Sequence, residues 1–90
     1  MRQLPPDVAP YRSTPIFDQG SIPAGLRRAH STKPGVWGRI VVEEGELLYR
    51  IVESGEEQRL SRGLPGIIEP GVLHEVVVVG AVRFRVEFLK

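Results

Sequence analysis

Three side chains in this 90-residue sequence could bind a metal ion together: His30, Glu69 and His74. Neutral imidazole and carboxylate groups are ligands of zinc, iron and nickel, and the sequence does not distinguish among these divalent metals. Glu69 could supply an oxygen ligand or orient one of the rings. These are the only two histidines of the chain. Because the chain has no cysteine, thiolate metal sites and disulfides are excluded. The alternative is that both histidines are buried and satisfied by hydrogen bonds.

The length and composition predict one domain spanning residues 1–90. A chain this short can close one hydrophobic core but not two. Its 41% apolar and 26% charged residues are typical of a globular protein. A core of this size often needs added support from a metal or a partner subunit, so we expect a homodimer. Four prolines make residues 1–15 an extended arm, lying along the domain or across a neighbouring subunit.

The charge pattern argues against nucleic acid as a partner. The formal net charge is +1, the signs are interspersed, and the one dense basic pair, Arg27 and Arg28, is not followed by a basic stripe. Residues 1–10 contain no apolar run, so neither a signal peptide nor a membrane helix is predicted. The absence of cysteine fits a reducing compartment. We therefore expect a cytoplasmic protein with no membrane partner.

Short β-rich runs separated by turn residues predict an all-β domain, closed or sandwiched. The turn at residues 44–45 predicts a hairpin in which Gly45 has a positive φ. In the last run, Val82, Phe84 and Val86 alternate with charged residues, so one face should be buried. The predicted strands are residues 14–17, 27–30, 37–43, 46–52, 57–60, 67–69, 74–79 and 82–88.

A spaced pattern of residues leads up to His74. Gly63 is followed after seven residues by Gly71, and His74 comes after two more. This order resembles the second cupin motif, with departures at Glu69, which replaces a proline, and Val78, which replaces an asparagine. In the motif, the turn before the histidine aims its ring into the mouth of a barrel. The resemblance implies a small single-domain cupin, a jelly-roll barrel also called a double-stranded β-helix.

The first cupin motif is much weaker in this chain. Only its closing glycine, Gly45, and an upstream histidine, His30, are present. Its metal-binding glutamate falls on Gly38, and its paired histidines fall within residues 31–34, which contain none. A three-histidine, one-glutamate site is therefore impossible, and any metal site must be a reduced one.

Longer segments are similar to one small cupin branch, that of the N-terminal domains of tellurite-resistance TehB proteins and of YeaR-like proteins. This resemblance implies a link to tellurite or other oxyanion stress. In TehB-type proteins a methyltransferase domain follows, and since the chain ends at Lys90 we expect no methyltransferase activity here. The segments that carry the resemblance are residues 11–17, 22–25, 30–38 and 68–74.

Four further residues could line the same pocket. Lys33 and Arg39 could bind an oxyanion, as the family association suggests, although ordinary surface charge is the favoured interpretation. Glu87 could turn inward as another carboxylate, but its position on the polar face of the last strand favours a solvated side chain. Trp37 begins the strongest predicted strand, so we expect it in the core or the barrel lining.

Three functions remain open on the sequence. The first is a non-enzymatic or weakly enzymatic cupin that binds a small molecule, an oxyanion or a metal. The second is a metal-dependent enzyme of the dioxygenase or isomerase type, with its metal on His30, Glu69 and His74. The third is a structural or regulatory domain that acts through the arm and a dimer face. No serine lies at a diagnostic spacing from a histidine, so nucleophilic hydrolysis is not predicted.

Overall fold

Across residues 3–28 and 31–90, which the computed structural model describes, the chain forms six β-strands and a single turn of 3₁₀ helix. The all-β prediction is confirmed, and all the strand pairs are antiparallel. The strands are β1 (Pro10–Ser13), β2 (Phe17–Asp18), β3 (Trp37–Ile51), β4 (Glu57–Ser61), β5 (Gly66–Ile68) and β6 (His74–Leu89), and the helical turn is Ala24–Arg27. No helix within the described ranges has the length and hydrophobicity needed to span a membrane.

The two long strands, β3 and β6, form the centre of a single sheet. They pair with each other, β1 and β2 add to the far edge of β6, and β4 and β5 add to the far edge of β3. The path therefore runs β1-β6-β3-β4. Within the described ranges the sheet is open and does not close into the predicted barrel, because its two outer edges do not pair with each other.

Both long strands must bend to fit the molecule. A straight 16-residue strand would be about 50 Å long, at about 3.3 Å per residue. The longest dimension of the domain is only 33 Å. The pairing of β3 with β6 shifts register twice, between Val42 and Glu44 and between Gly45 and Leu47. Such bulges bend a strand and increase its twist, so the two halves of β6 can face the same core from different sides.

The predicted hairpin at residues 44–45 is wrong, although the positive φ of Gly45 is confirmed at +78°. Gly45 lies opposite Val82 in the register, and β3 continues through it without a reversal. The predicted break at residues 80–81 is likewise absent from β6. The physical reason is a bulge, because the pairing of the two strands is interrupted between Gly45 and Leu47 and resumes with Leu47 opposite Val78, so both strands continue past this point.

The segment after β2 also differs from the prediction. Residues 24–27 form the helical turn, where a strand was predicted to start at Arg27. Pro23 precedes this turn with a φ of −57°, and its carbonyl oxygen accepts the Leu26 N–H at 3.0 Å. Pro23 is the N-cap of this turn, with a ψ of 139°, and the helical backbone begins at Ala24. His30, the other end of the predicted strand, lies outside the described residues.

Part of the predicted arm is a strand of the sheet. β1 lies within residues 1–15 and pairs with β6 of the same chain, with Arg12 opposite Phe88. Thr14 extends this contact, since its N–H donates to the Val86 carbonyl at 2.9 Å and its Oγ1 accepts the Val86 N–H at 3.0 Å. The arm therefore covers one edge of β6.

The core lies between the bent halves of the sheet. The predicted buried face of the last strand is confirmed for Val82, Phe84 and Val86. Phe84 is completely buried and packs edge-on against Phe17, with ring centroids 5.8 Å apart. The other buried apolar residues of this cluster are Ile22, Ile40, Val42, Leu47, Tyr49, Ile51, Leu60, Ile68 and Val76.

Candidate functional site

His74 is the first residue of β6 and is only 2% exposed. Among the described residues it is the only polar or charged residue that is buried. Its Nδ1 lies 3.1 Å from the carbonyl oxygen of Val72. A carbonyl oxygen can only accept, so Nδ1 must carry a proton to make this hydrogen bond. In the neutral ring the lone pair is then on Nε2, the nitrogen that a ligand or metal would contact.

A tight turn brings His74 to this position. The Val72 N–H donates to the Glu69 carbonyl at 3.3 Å, and Gly71, inside the turn, has a φ of +77°. Pro70 followed by a glycine with positive φ is typical of a type II turn. The turn joins β5 to β6 and places the Val72 carbonyl oxygen within hydrogen-bond distance of His74 Nδ1.

Tyr49 holds the His74 ring from the side. The two ring centroids are 5.8 Å apart with an angle of 70° between the planes, an edge-to-face contact. The Tyr49 hydroxyl donates to the Ile67 carbonyl at 3.1 Å, so this ring is itself fixed. His74 is therefore oriented by a hydrogen bond within its own turn and by an aromatic neighbour on β3.

A cavity of about 220 Å³ lies beside His74. Most of its wall is apolar and comes from the sheet, with both halves of β6 contributing. The polar part of the wall comes from residues 31–33 and from His74 itself. The lining residues are Leu26, Ser31, Thr32, Lys33, Ile40, Ile68, His74, Val76, Phe84, Val86 and Phe88.

A second tight turn positions Lys33 at this cavity. The Val36 N–H donates to the Lys33 carbonyl at 3.0 Å, and Gly35 has a φ of +77°. The Thr32 hydroxyl donates to the Val36 carbonyl at 2.7 Å, which ties the start of the turn to its end. The local sequence, with Pro34 followed by Gly35, dictates this type II geometry. Lys33 makes no ion pair within residues 3–28 and 31–90.

Arg39 and Glu87 lie on the other face of β3 and β6. Arg39 alternates with Ile40, which faces the cavity, so its side chain points away from His74. Its Nε and Nη2 both lie 2.6 Å from Glu87 Oε1, and Arg85 Nη1 lies 3.3 Å from Glu87 Oε2. The predicted pocket residues thus divide into Lys33 on the cavity side and an Arg39–Glu87 pair on the outer side.

Trp37 and Glu69 lie at the ends of strands. Trp37 is half-buried at the start of β3 and is paired with Leu89. Glu69 is half-buried and follows β5 directly, at the first position of the turn before His74. Among the described residues, no three His, Asp or Glu side chains are grouped closely enough to hold a metal. His30, the third predicted ligand, lies outside the described residues, so the predicted metal site stays a prediction.

The outer face of the sheet is covered by ion pairs. Arg50 pairs with Glu57 at 2.6 Å and with Glu75 at 2.8 Å. Hydrogen bonds to these two carboxylates raise the pKa of Arg50, the one to Glu57 being the larger cause. The other paired arginines of β3, β4 and β6 are Arg39, Arg59, Arg83 and Arg85. Positive charge on this face is therefore neutralised within the sheet.

Several residues of the site are not predicted from the sequence. Ser31 and Thr32 were not singled out, although the turn residues that follow them are a local signal for a fixed loop. Tyr49 is a core residue, and its contact with His74 has no signal in the sequence because it depends on the register of β3 against β6. The hydrogen bond between the imidazole and the Val72 carbonyl is local, only two residues apart, but it depends on the conformation of the turn and of the His74 side chain, which the residue types do not specify.

The chain is similar in sequence to known proteins of one family. A family model described as a TehB-like domain matches residues 12–86. Two proteins of Haemophilus influenzae, each named probable S-adenosyl-L-methionine-dependent methyltransferase TehB, are 32% and 30% identical over 47 residues. This segment is 51% of the chain and 16% of each relative, so it spans only about a sixth of their length.

Two crystal structures share the fold. A protein of Escherichia coli strain K12 superposes with a TM-score of 0.91 at 24% identity, covering 100% of this chain and 97% of that one. TehB from Haemophilus influenzae superposes with a TM-score of 0.82 at 22% identity, covering 93% of this chain and 32% of that one. The chain therefore corresponds to a complete structural unit in the first protein and to about a third of the second.

Proposed function

The chain belongs to the TehB-like domain family, and from this premise we propose that it is a small-molecule-binding module whose binding site is the cavity beside His74. The observation that carries the proposal is a buried, oriented imidazole on the wall of that cavity. The family resemblance supports a role in the response to tellurite or other oxyanions. A cytoplasmic location and a homodimer stay predictions.

The cost of the cavity supports a binding role. Well-packed interiors contain few voids larger than a water molecule, and a domain of this length has little stability to spare. Burying a polar ring is also unfavourable unless its nitrogen atoms are satisfied. A cavity of about 220 Å³ beside such a ring, in a 90-residue domain, is better explained by a ligand than by stability.

The Val76→Phe variant tests this site by filling it. Val76 is buried and lines the cavity, so a larger ring at this position should occupy the space that a ligand would use. We expect the free energy of unfolding to change by less than about 1 kcal/mol, because filling a cavity offsets the strain of a larger side chain. Binding of small compounds, measured by saturation-transfer NMR on a library of about six to twelve non-hydrogen atoms per compound, should be lost.

His74→Ala is the second arm of the same test. It removes the imidazole without filling the cavity, so compounds that depend on the ring should bind more weakly while purely apolar ones should not. If wild-type protein binds no compound of the library, or if Val76→Phe leaves binding intact, the proposed site is wrong.

A metal-dependent function is the second candidate, of the cupin dioxygenase or isomerase type. The hydrogen bond from Nδ1 to the Val72 carbonyl favours it, since metal-binding histidines commonly donate their other N–H in this way. His30, Glu69 and His74 would hold the metal, which would supply a Lewis acid or an oxygen-activating centre. The described residues alone do not form a three-ligand group, so this candidate depends on His30.

Metal content of protein purified without a histidine tag tests this candidate. We expect a bound divalent metal near one equivalent, reduced at least tenfold in affinity by Glu69→Gln, because loss of a ligand or of its orienting partner has about this effect. Glu87→Gln is the matched control, as it removes a carboxylate from the outer face and should leave the metal in place. Absence of metal after incubation with zinc, iron and nickel would exclude the metal-dependent function.

A further inference from the structure

We propose that the ligand of the cavity is a small organic monoanion, with an acidic head group at Lys33 and an apolar body of about nine non-hydrogen atoms among the strands. This inference rests on the proposed function and goes further, because it names the chemical class that the cavity selects. It follows from the arrangement of the lining, from the charge of Lys33 and from the volume.

The polar and apolar parts of the cavity wall are separated. Ser31, Thr32 and Lys33 are consecutive and form one end, whereas the strands supply the apolar remainder. Because the Thr32 hydroxyl proton is donated to the Val36 carbonyl, Ser31 and Lys33 are the donors that this loop can offer a ligand. A ligand that satisfies both parts must be polar at one end and apolar at the other.

The charge of the polar end is positive. Lys33 forms no ion pair within the described ranges, in contrast to the five arginines of β3, β4 and β6, each of which is paired with a glutamate. Arg12, which shares a shallow depression with Lys33 next to the cavity, likewise has no ion pair in the described part of the chain. A neutral acceptor can also accept a hydrogen bond from the Lys33 ammonium, but only an anion adds the Coulomb attraction of an ion pair.

The volume limits the size of the ligand. An apolar cavity of about 150 Å³ holds benzene, so about 220 Å³ corresponds to roughly nine non-hydrogen atoms, the size of benzoate. Pockets for drug-sized molecules and cofactors usually begin at about 300 Å³. This cavity is therefore too small for a nucleotide or a long acyl chain.

The walls also argue against a bare inorganic oxyanion as the best ligand. Such an ion would contact the Lys33 end and leave the apolar surface of Ile40, Val76 and Phe84 without a partner. Burial of apolar surface contributes about 25 cal/mol per Å², so an organic body adds affinity that a compact ion cannot. A monoanion with an aromatic or branched aliphatic body uses both parts of the wall.

NMR titration of the full chain with three probes tests the inference. The probes are benzoate, its neutral isostere benzamide, and tellurite, which is an inorganic oxyanion without an apolar body. We expect benzoate to bind at least about five- to tenfold more tightly than benzamide, the range of an ion pair at a partly exposed site. Lys33→Met should remove this preference, because it should weaken benzoate binding more than benzamide binding. Lys90→Met is the matched control, since it replaces the only other lysine, and it should bind as wild type does.

The outcomes separate this inference from the proposed function. Equal affinity for benzoate and benzamide, or tellurite binding as tightly as benzoate, would overturn the monoanion inference while the small-molecule site stands. The monoanion inference also fails, and the small-molecule site stands, if benzoate does not bind but other compounds bind the wild type and do not bind Val76→Phe. If no compound binds at all, both fail. A charge preference that disappears in Lys33→Met alone supports the inference.

Discussion

Replacing Phe84 with alanine is expected to lower the free energy of unfolding by about 3–5 kcal/mol, the usual cost of removing a buried aromatic ring. Phe84 is completely buried in β6, packs against Phe17 and also forms part of the cavity wall. Because a domain has a total stability of about 5–15 kcal/mol, this single change removes a large part of it. Urea denaturation followed by the fluorescence of Trp37, the only tryptophan, measures the effect.

Tyr11→Ala is the matched control for Phe84→Ala. Tyr11 is also an aromatic residue of a strand, but it is 49% exposed and its ring contacts the Lys90 ammonium at 4.5 Å. Its removal should cost only about 0.5–1 kcal/mol, the value of an exposed cation–π contact. If both substitutions had similar effects, the core could not be centred on Phe84.

The second large effect is expected for Gly45→Ala. A Cβ atom at Gly45 would lie 2.1 Å from the carbonyl oxygen of Ala81, which belongs to the backbone of the paired strand and cannot rotate away. The φ of +78° adds a further cost for any residue with a side chain. We expect a loss of about 3 kcal/mol or more, from backbone strain and overpacking together.

Gly55→Ala separates the two causes. Gly55 has a similar φ of +72°, but nothing lies within 4 Å of the position of its Cβ. This variant should lose only the cost of a left-handed backbone, about 1–2 kcal/mol. Equal losses at Gly45 and Gly55 in urea denaturation would mean that β3 and β6 do not approach as closely at the bulge as described.

Local patterns predicted the parts of the fold that are determined locally. β4 and β5 were placed to within one residue, because each is a short run of strand-forming residues between clear turn residues. The alternation in the last strand identified its buried face. The continuity of β3 and β6 could not be predicted in this way, since Gly45 and Gly80 look like chain reversals until the partner strand is known.

The candidate site also combines features that are determined locally with features that depend on strand register. The spacing of Gly71 and His74 identified the buried imidazole, since the turn and the strand start are adjacent in sequence. Arg39 and Glu87 face away from it because of the register of β3 against β6, which no local pattern specifies. Lys33 was noted only as a weak candidate, although its turn, with Pro34 and Gly35, is a strong local signal.

We propose that His74 is an oriented ligand-binding group at the cavity, and the imidazole ¹H–¹⁵N NMR spectrum of the protein tests this most directly. The chain has two histidines, so His74→Ala assigns the signals. We predict that His74 has its proton on Nδ1, as the hydrogen bond to the Val72 carbonyl requires, and that its Nε2 signal shifts when benzoate is added. A His74 ring with its proton on Nε2, or one whose signals do not move with any bound compound, would contradict the account.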